Sequence, residues 1–150
     1  MIKAKYKHTN IVAKDWRKLA DFYQNIFGCT EVPPERACGE KWVERCTSVP
    51  GATIEGVHLR LPGYDDNGPT LEIFQYNNAE NRPETAINRP GFAHIAFEVE
   101  DVEAARNEVL VAGGTCVGEL VKVDITNAGK ITFIYMTDPE GNIIELQKWH

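Results

Sequence analysis

Ala93-His94-Ile95-Ala96-Phe97-Glu98-Val99-Glu100-Asp101 repeats, in outline, an earlier stretch of the chain, Lys7-His8-Thr9-Asn10-Ile11-Val12-Ala13-Lys14-Asp15. A shift of 86 residues aligns the two histidines, and the same shift takes Asp15 to Asp101 and Gly28 to Gly114. The halves also end alike. Asp65-Asp66-Asn67-Gly68-Pro69-Thr70-Leu71-Glu72-Ile73 matches Asp138-Pro139-Glu140-Gly141-Asn142-Ile143-Ile144-Glu145-Leu146, here with a shift of 73 that pairs Gly68 with Gly141 and Glu72 with Glu145. The first half therefore carries an insertion of 13 residues (the difference between the shifts of 86 and 73), which falls within Pro33–Ala52. Self-similarity of this kind marks a fold built from a repeated supersecondary unit.

Each half has the same expected order, β-α-β-β-β. Tyr6–Val12 and Phe92–Val99 are apolar and rich in strand formers. Asp15 and Asp101 are good helix N-caps. The apolar set Trp16, Leu19, Ala20, Tyr23, Ile26 and Phe27 follows the first, and Val102, Ala105, Val109, Leu110 and Ala112 the second. Both have the 3.6-residue period, and Gly28 and Gly113-Gly114 are suitable stops. Further strands are expected at Thr30–Val32, Gly56–Leu61 and Thr70–Tyr76, and again at Cys116–Val121, Ile131–Met136 and Asn142–Lys148. Turns at Gly63–Pro69 and Asp138–Gly141 join the last two strands of each half. The expected architecture is α+β: two βαβββ modules, residues 1–76 and 92–150, related by a pseudo-twofold axis within a single domain spanning 1–150. A polar linker over 77–91 joins them. Neither half is large enough to be comfortable alone. Sheets curled toward each other would share a core and leave a concave cup.

Composition narrows the function classes. The chain has 150 residues, 43% of them hydrophobic, with a formal charge of −6. That is ordinary for a globular domain. The acidic balance argues against nucleic acid or an anionic membrane as partner, since both call for a basic face. No apolar run approaches a membrane span, and Met1-Ile2-Lys3-Ala4-Lys5 lacks the apolar stretch of a signal peptide. The four cysteines, Cys29, Cys38, Cys46 and Cys116, form no C-x-x-C pair, so free thiols and a cytoplasmic setting are expected.

The repeat singles out four side chains. His8 and His94 hold equivalent points on the first strand of each half, and Glu72 and Glu145 equivalent points on the last. Taken singly, a strand histidine is more often a packed or surface residue than a ligand, and a Glu between apolar neighbours is often a solvent-facing position. Recurrence at matched points is the stronger signal. If these strands line a cup, two imidazoles and two carboxylates converge there. That donor set suits one divalent ion such as Ni²⁺, Co²⁺, Zn²⁺, Mn²⁺ or Fe²⁺. The lack of cysteine at these points argues against a closed structural zinc site.

On these residues, and on Asp21-Phe22-Tyr23-Gln24-Asn25-Ile26-Phe27-Gly28, the chain resembles the vicinal oxygen chelate superfamily of glyoxalases, bleomycin resistance proteins and dioxygenases. The likeness covers nearly the whole chain. It implies paired modules forming a cup around one metal held by His8, Glu72, His94 and Glu145. The His/Glu/His/Glu set is most similar to glyoxalase I, a lyase (lactoylglutathione lyase) that converts the hemithioacetal of methylglyoxal and glutathione to S-lactoylglutathione. In that chemistry the metal stabilises an ene-diolate while a carboxylate moves a proton between adjacent carbons. The resemblance makes Glu145 the leading base, with Glu72 the second candidate, and implies a homodimer acting on a small α-oxygenated molecule.

Two positions depart from glyoxalase I. Val12 stands where that enzyme typically has an arginine that grips glutathione, and Tyr76 where it tends to have an asparagine; an apolar side chain cannot replace a bidentate guanidinium. Lys130, Arg60 and Tyr76 are the candidate substrate-binding residues. Arg60 and His58 sit on one strand in alternate register, and one of them is expected to face the cup. The first-half insertion is expected to be either a lid or a packed surface helix. The alternatives are an Fe(II) extradiol-type dioxygenase and a non-enzymatic protein that binds a small toxin or antibiotic.

Overall fold

The structure is a computed structural model that describes residues 1–150. It divides into two compact units, Met1–Asn81 and Arg82–His150. The first runs β1 (His8–Val12), α1 (Trp16–Phe27), β2 (Thr30–Cys38), α2 (Lys41–Thr47), β3 (Ile54–Arg60), β4 (Thr70–Tyr76). The second runs β5 (Ile95–Glu98), α3 (Val102–Val111), β6 (Thr115–Cys116), β7 (Val121–Ile125), β8 (Gly129–Thr137), β9 (Ile143–Trp149). The class is α+β, with two mixed sheets of four and five strands, three helices and no closed barrel.

In the first sheet the order is β1-β4-β3-β2, with β1 parallel to β4 and the other pairs antiparallel. A βα unit needs room to return in parallel, and α1 supplies the crossover. Asp15 opens α1 by accepting the Lys18 amide, and Gly28 closes it in the left-handed region at φ 68°. The helix lies on β3 and β4. It buries Trp16, Leu19, Ala20, Phe22 and Tyr23, while the strands bury Val57, Leu59, Leu71 and Ile73. Phe22 joins the core and Ile26 and Phe27 are only half-buried, a small rotation from the expected face. Side chains alternate along β4: Leu71 and Ile73 point into the core, so Thr70, Glu72, Phe74 and Tyr76 lie on the opposite face.

The second sheet has the order β5-β9-β8-β6, with β7 also paired to β8. Again the first strand is parallel to the last. Asp101 caps α3 on the Ala104 amide. The core here is Val102 and Val109 of α3 over Ile134, Met136, Ile144 and Leu146; Leu110, expected in it, is exposed.

The single strand expected at Cys116–Val121 is in fact two short ones. Cys116 pairs with Met136 and the Val117 amide donates to the Tyr135 carbonyl, yet the next paired residue, Val121, faces Phe133. Four steps on one strand thus span two on the other. β2 does the same, with Val32 opposite His58 and Arg36 opposite Gly56. Both irregularities are β-bulges that bend an edge strand. One is built on Pro33-Pro34, which supplies no ladder N–H, and the other on Gly118-Glu119-Leu120. The bulge also lets β2 run six residues further than expected, to Cys38. The rest of the insertion forms the packed helix α2, whose Val43 is fully buried with Ala52 and Ile54, against Phe74 and Tyr76.

Candidate metal centre

Within the first unit, parallel pairing sets Asn10 beside Glu72, two residues beyond His8 and on the same face of β1. The His8 Nε2 lies 3.6 Å from Glu72 Oε2. From the other side, β3 places His58 directly across from Glu72, with its Nε2 2.9 Å from Oε1. Asn10 Nδ2 donates to Glu72 Oε2 at 2.9 Å. The ligand atoms of His8, His58 and Glu72 all lie within 4.8 Å of one another. Glu72 is 13% exposed at its side chain and His8 44%, so the carboxylate is sheltered while one imidazole stays open. His58 also reaches Thr70 Oγ1 through Nδ1 at 3.2 Å. Burial holds its pKa below the usual histidine value, against the pull of the Glu72 charge in the other direction.

The second unit repeats the pair. His94 immediately precedes β5, and its Nε2 lies 3.0 Å from Glu145 Oε2 on β9. The register neighbours of Glu145 are Ala96 on β5 and Tyr135 on β8. The Tyr135 ring packs 5.0 Å from the His94 ring, and burial pushes the phenol pKa up, with the Glu145 charge adding to the effect.

The donors fit a divalent ion. Neutral imidazole nitrogens and carboxylate oxygens are the ligands of borderline and hard cations, and each unit holds one such His–Glu pair. None of the thiols belongs to either group; Cys29 is buried and Cys116 exposed elsewhere.

The other expected residues fall as follows. Arg60 and His58 share the face of β3 that bears on β4, opposite Thr70 and Glu72 respectively, so both lie on the Glu72 side rather than one of them. The Arg60 guanidinium donates to the Asp66 carbonyl in the turn before β4. Tyr76 shares a strand face with Glu72 and packs against the α2 cluster; burial raises its pKa. Lys130 sits at the start of β8 opposite Asp124, and its carbonyl accepts the His150 amide.

Asn10 and the partnership of His58 with Glu72 were not read from the sequence. Their signal is the register: Asn10 shares the face of His8, but only the β3–β4 pairing shows that His58 meets Glu72.

Comparison with known proteins gives a consistent frame. A family model described as Glyoxalase/Bleomycin resistance protein/Dioxygenase superfamily matches residues 5–146. Among solved structures, a glyoxalase family protein from Bacillus cereus superposes with a TM-score of 0.75 at 18% identity, covering 99% of this chain and 95% of that one. A glyoxylase/bleomycin resistance protein/dioxygenase domain from Frankia sp. gives 0.61 at 16%, covering 99% and 100%. A fosfomycin resistance protein from Listeria monocytogenes, in complex with Mn(II) and sulfate, gives 0.57 at 18%, covering 100% and 95%. No curated protein sequence matches.

Proposed function

The chain belongs to the Glyoxalase/Bleomycin resistance protein/Dioxygenase superfamily, and on that footing we propose that it is a divalent-metal-dependent lyase or isomerase of glyoxalase I type. Its substrate is a small α-oxygenated molecule, with a glutathione hemithioacetal as the first candidate. The observation that carries this reading is the same His–Glu pair, preformed at matched points of both units: His8 with Glu72 and His94 with Glu145. The proposed ligands of one ion are these four residues.

The ion, when bound, supplies positive charge that polarises two vicinal substrate oxygens and offsets the negative charge growing there as a C–H proton leaves. The protein does the rest. Glu145 accepts the proton on a carboxylate oxygen and returns it to the neighbouring carbon, so one C–H bond breaks, another forms, and nothing is oxidised. His94 holds Glu145 from one side. Arg60 and Lys130 are the proposed anchors for an anionic substrate tail, and Tyr76 a wall of the pocket. A cytoplasmic homodimer is the proposed form.

Purified protein, stripped by chelation and reloaded with Ni²⁺, Co²⁺, Zn²⁺ or Mn²⁺, tests this on the methylglyoxal–glutathione adduct. The expected outcome is near-stoichiometric metal and S-lactoylglutathione formation that is lost on chelation. Glu145→Gln is expected to lower kcat by at least about 100-fold, in the range that general base catalysis contributes. A metal-loaded protein inert on the adduct overturns the substrate.

A second reading is favoured by His58. Two imidazoles and one carboxylate within 4.8 Å match the 2-His-1-carboxylate set of non-haem Fe(II) oxygenases. Oxygen uptake by the Fe(II)-loaded protein with a catechol would support it.

A further inference from the structure

The two glutamates occupy matched positions, but their neighbours do not match. Glu72 has Asn10 on one flanking strand and His58 on the other, and both donate to it: Asn10 Nδ2 to Oε2 at 2.9 Å, His58 Nε2 to Oε1 at 2.9 Å. At the corresponding points around Glu145 stand Ala96 and Tyr135. Alanine has nothing to donate. The Tyr135 ring lies against His94, and the hydroxyl makes no hydrogen bond to the carboxylate. The repeat is therefore broken at both flanks of one residue pair and kept in the pair itself.

The His58 ring bridges two groups. An ionised carboxylate only accepts, so the bond to Glu72 requires the proton on Nε2. Nδ1 then accepts from the Thr70 hydroxyl at 3.2 Å. Each Glu72 oxygen is thus held by one donor from a neighbouring strand. Glu145 is held on a single oxygen, by His94. A carboxylate that must take up and release a proton needs a free oxygen and room to turn. One that only binds a cation gains from being fixed.

We infer that His58 and Asn10 are positioning residues that fix Glu72 as a permanent ligand, leaving Glu145 as the carboxylate that carries the proton. This rests on the metal reading above and deepens it: two residues that the repeat makes look interchangeable have separate tasks, assigned by what flanks them.

The test uses the 150-residue chain and two readouts that need no substrate. The first is the ¹⁵N NMR signature of the His58 ring in the metal-free protein, expected to show the proton on Nε2. The second is Mn(II) binding by calorimetry. His58→Leu is expected to weaken Mn(II) binding about 10–100-fold, the usual loss when a partner of a ligand is removed. His58→Gln, whose amide N–H reaches toward the same oxygen, is expected to recover most of it. Thr70→Val, one bond further from the carboxylate, is expected to give a smaller loss and covers the case in which His58→Leu does not fold.

A proton on Nδ1, or a His58→Gln variant as weak as His58→Leu, makes His58 a ligand in its own right and overturns the inference. So does unchanged Mn(II) affinity in both His58→Leu and Thr70→Val. Wild-type protein that takes up no Mn(II) overturns the metal reading, and the division of labour falls with it.

Discussion

Cys29 follows α1 at 3% exposure, and burial pushes its thiol up to about 11 from the 9.0 of a free side chain. The protonated form is thus favoured in the folded chain. Its contribution to stability is complete below pH 9 and is lost as the pH rises through 11, because between those values the unfolded chain releases a proton that the folded one keeps. Thermal melts of the wild type from pH 8 to 11 are expected to fall more steeply than those of Cys29→Ala; parallel curves would show that the thiol titrates alike in both states. Single residues were also where the sequence spoke most clearly about the site. His8, Glu72, His94 and Glu145 stand out because each recurs at a matched point, and they pair within their units. His58 and Asn10 have no counterpart of the same type in the other half, so comparing halves hid them. Only the register of β3 and β1 against β4 brings them to Glu72.

Strands and helices were legible where one face is buried and blurred where it is not. β4 lies exactly where alternation placed it, Thr70–Tyr76, since Leu71 and Ile73 are wholly buried between two flanking strands. The edge strands differ from the pattern. β2 continues through Pro33-Pro34 and β6 stops at Cys116, because bulges at both sites depend on pairing with a partner strand and leave little mark on periodicity. At this scale Gly56 makes a sharp prediction. It faces Phe74 just past the β2 bulge, and a Cβ there would lie 2.0 Å from the Ile73 carbonyl oxygen and 2.6 Å from the Phe74 ring. Since neither backbone oxygen nor strand can give way, Gly56→Ala is expected to cost at least about 2 kcal/mol by overpacking, read from urea unfolding. A loss of less than about 0.5 kcal/mol would mean that β3 shifts freely. Gly56 and Phe74 lie two residues from His58 and Glu72, so the same variant is expected to disturb the ligand geometry.

Across the whole molecule, two sheets of one design each carry a His–Glu pair, and the family model spans 142 residues, from 5 to 146. An ion that binds only the folded chain stabilises it by mass action. At a free concentration about 100 times the dissociation constant the gain is about 2.7 kcal/mol. Mn(II) is therefore expected to raise Tm by several degrees, with chelator reversing the rise and the Glu72→Gln, Glu145→Gln double variant abolishing it; an unchanged Tm would count against a bound ion. The parallel pairing of β1 with β4 carries one more consequence, for biosynthesis. His8 is made before its partner Glu72, which lies 64 positions downstream on a strand that ends at Tyr76. Loop-closure entropy must be met before that contact forms. The earlier-made donor therefore waits, while two helices and two strands are made, for the last strand of its own half to be translated.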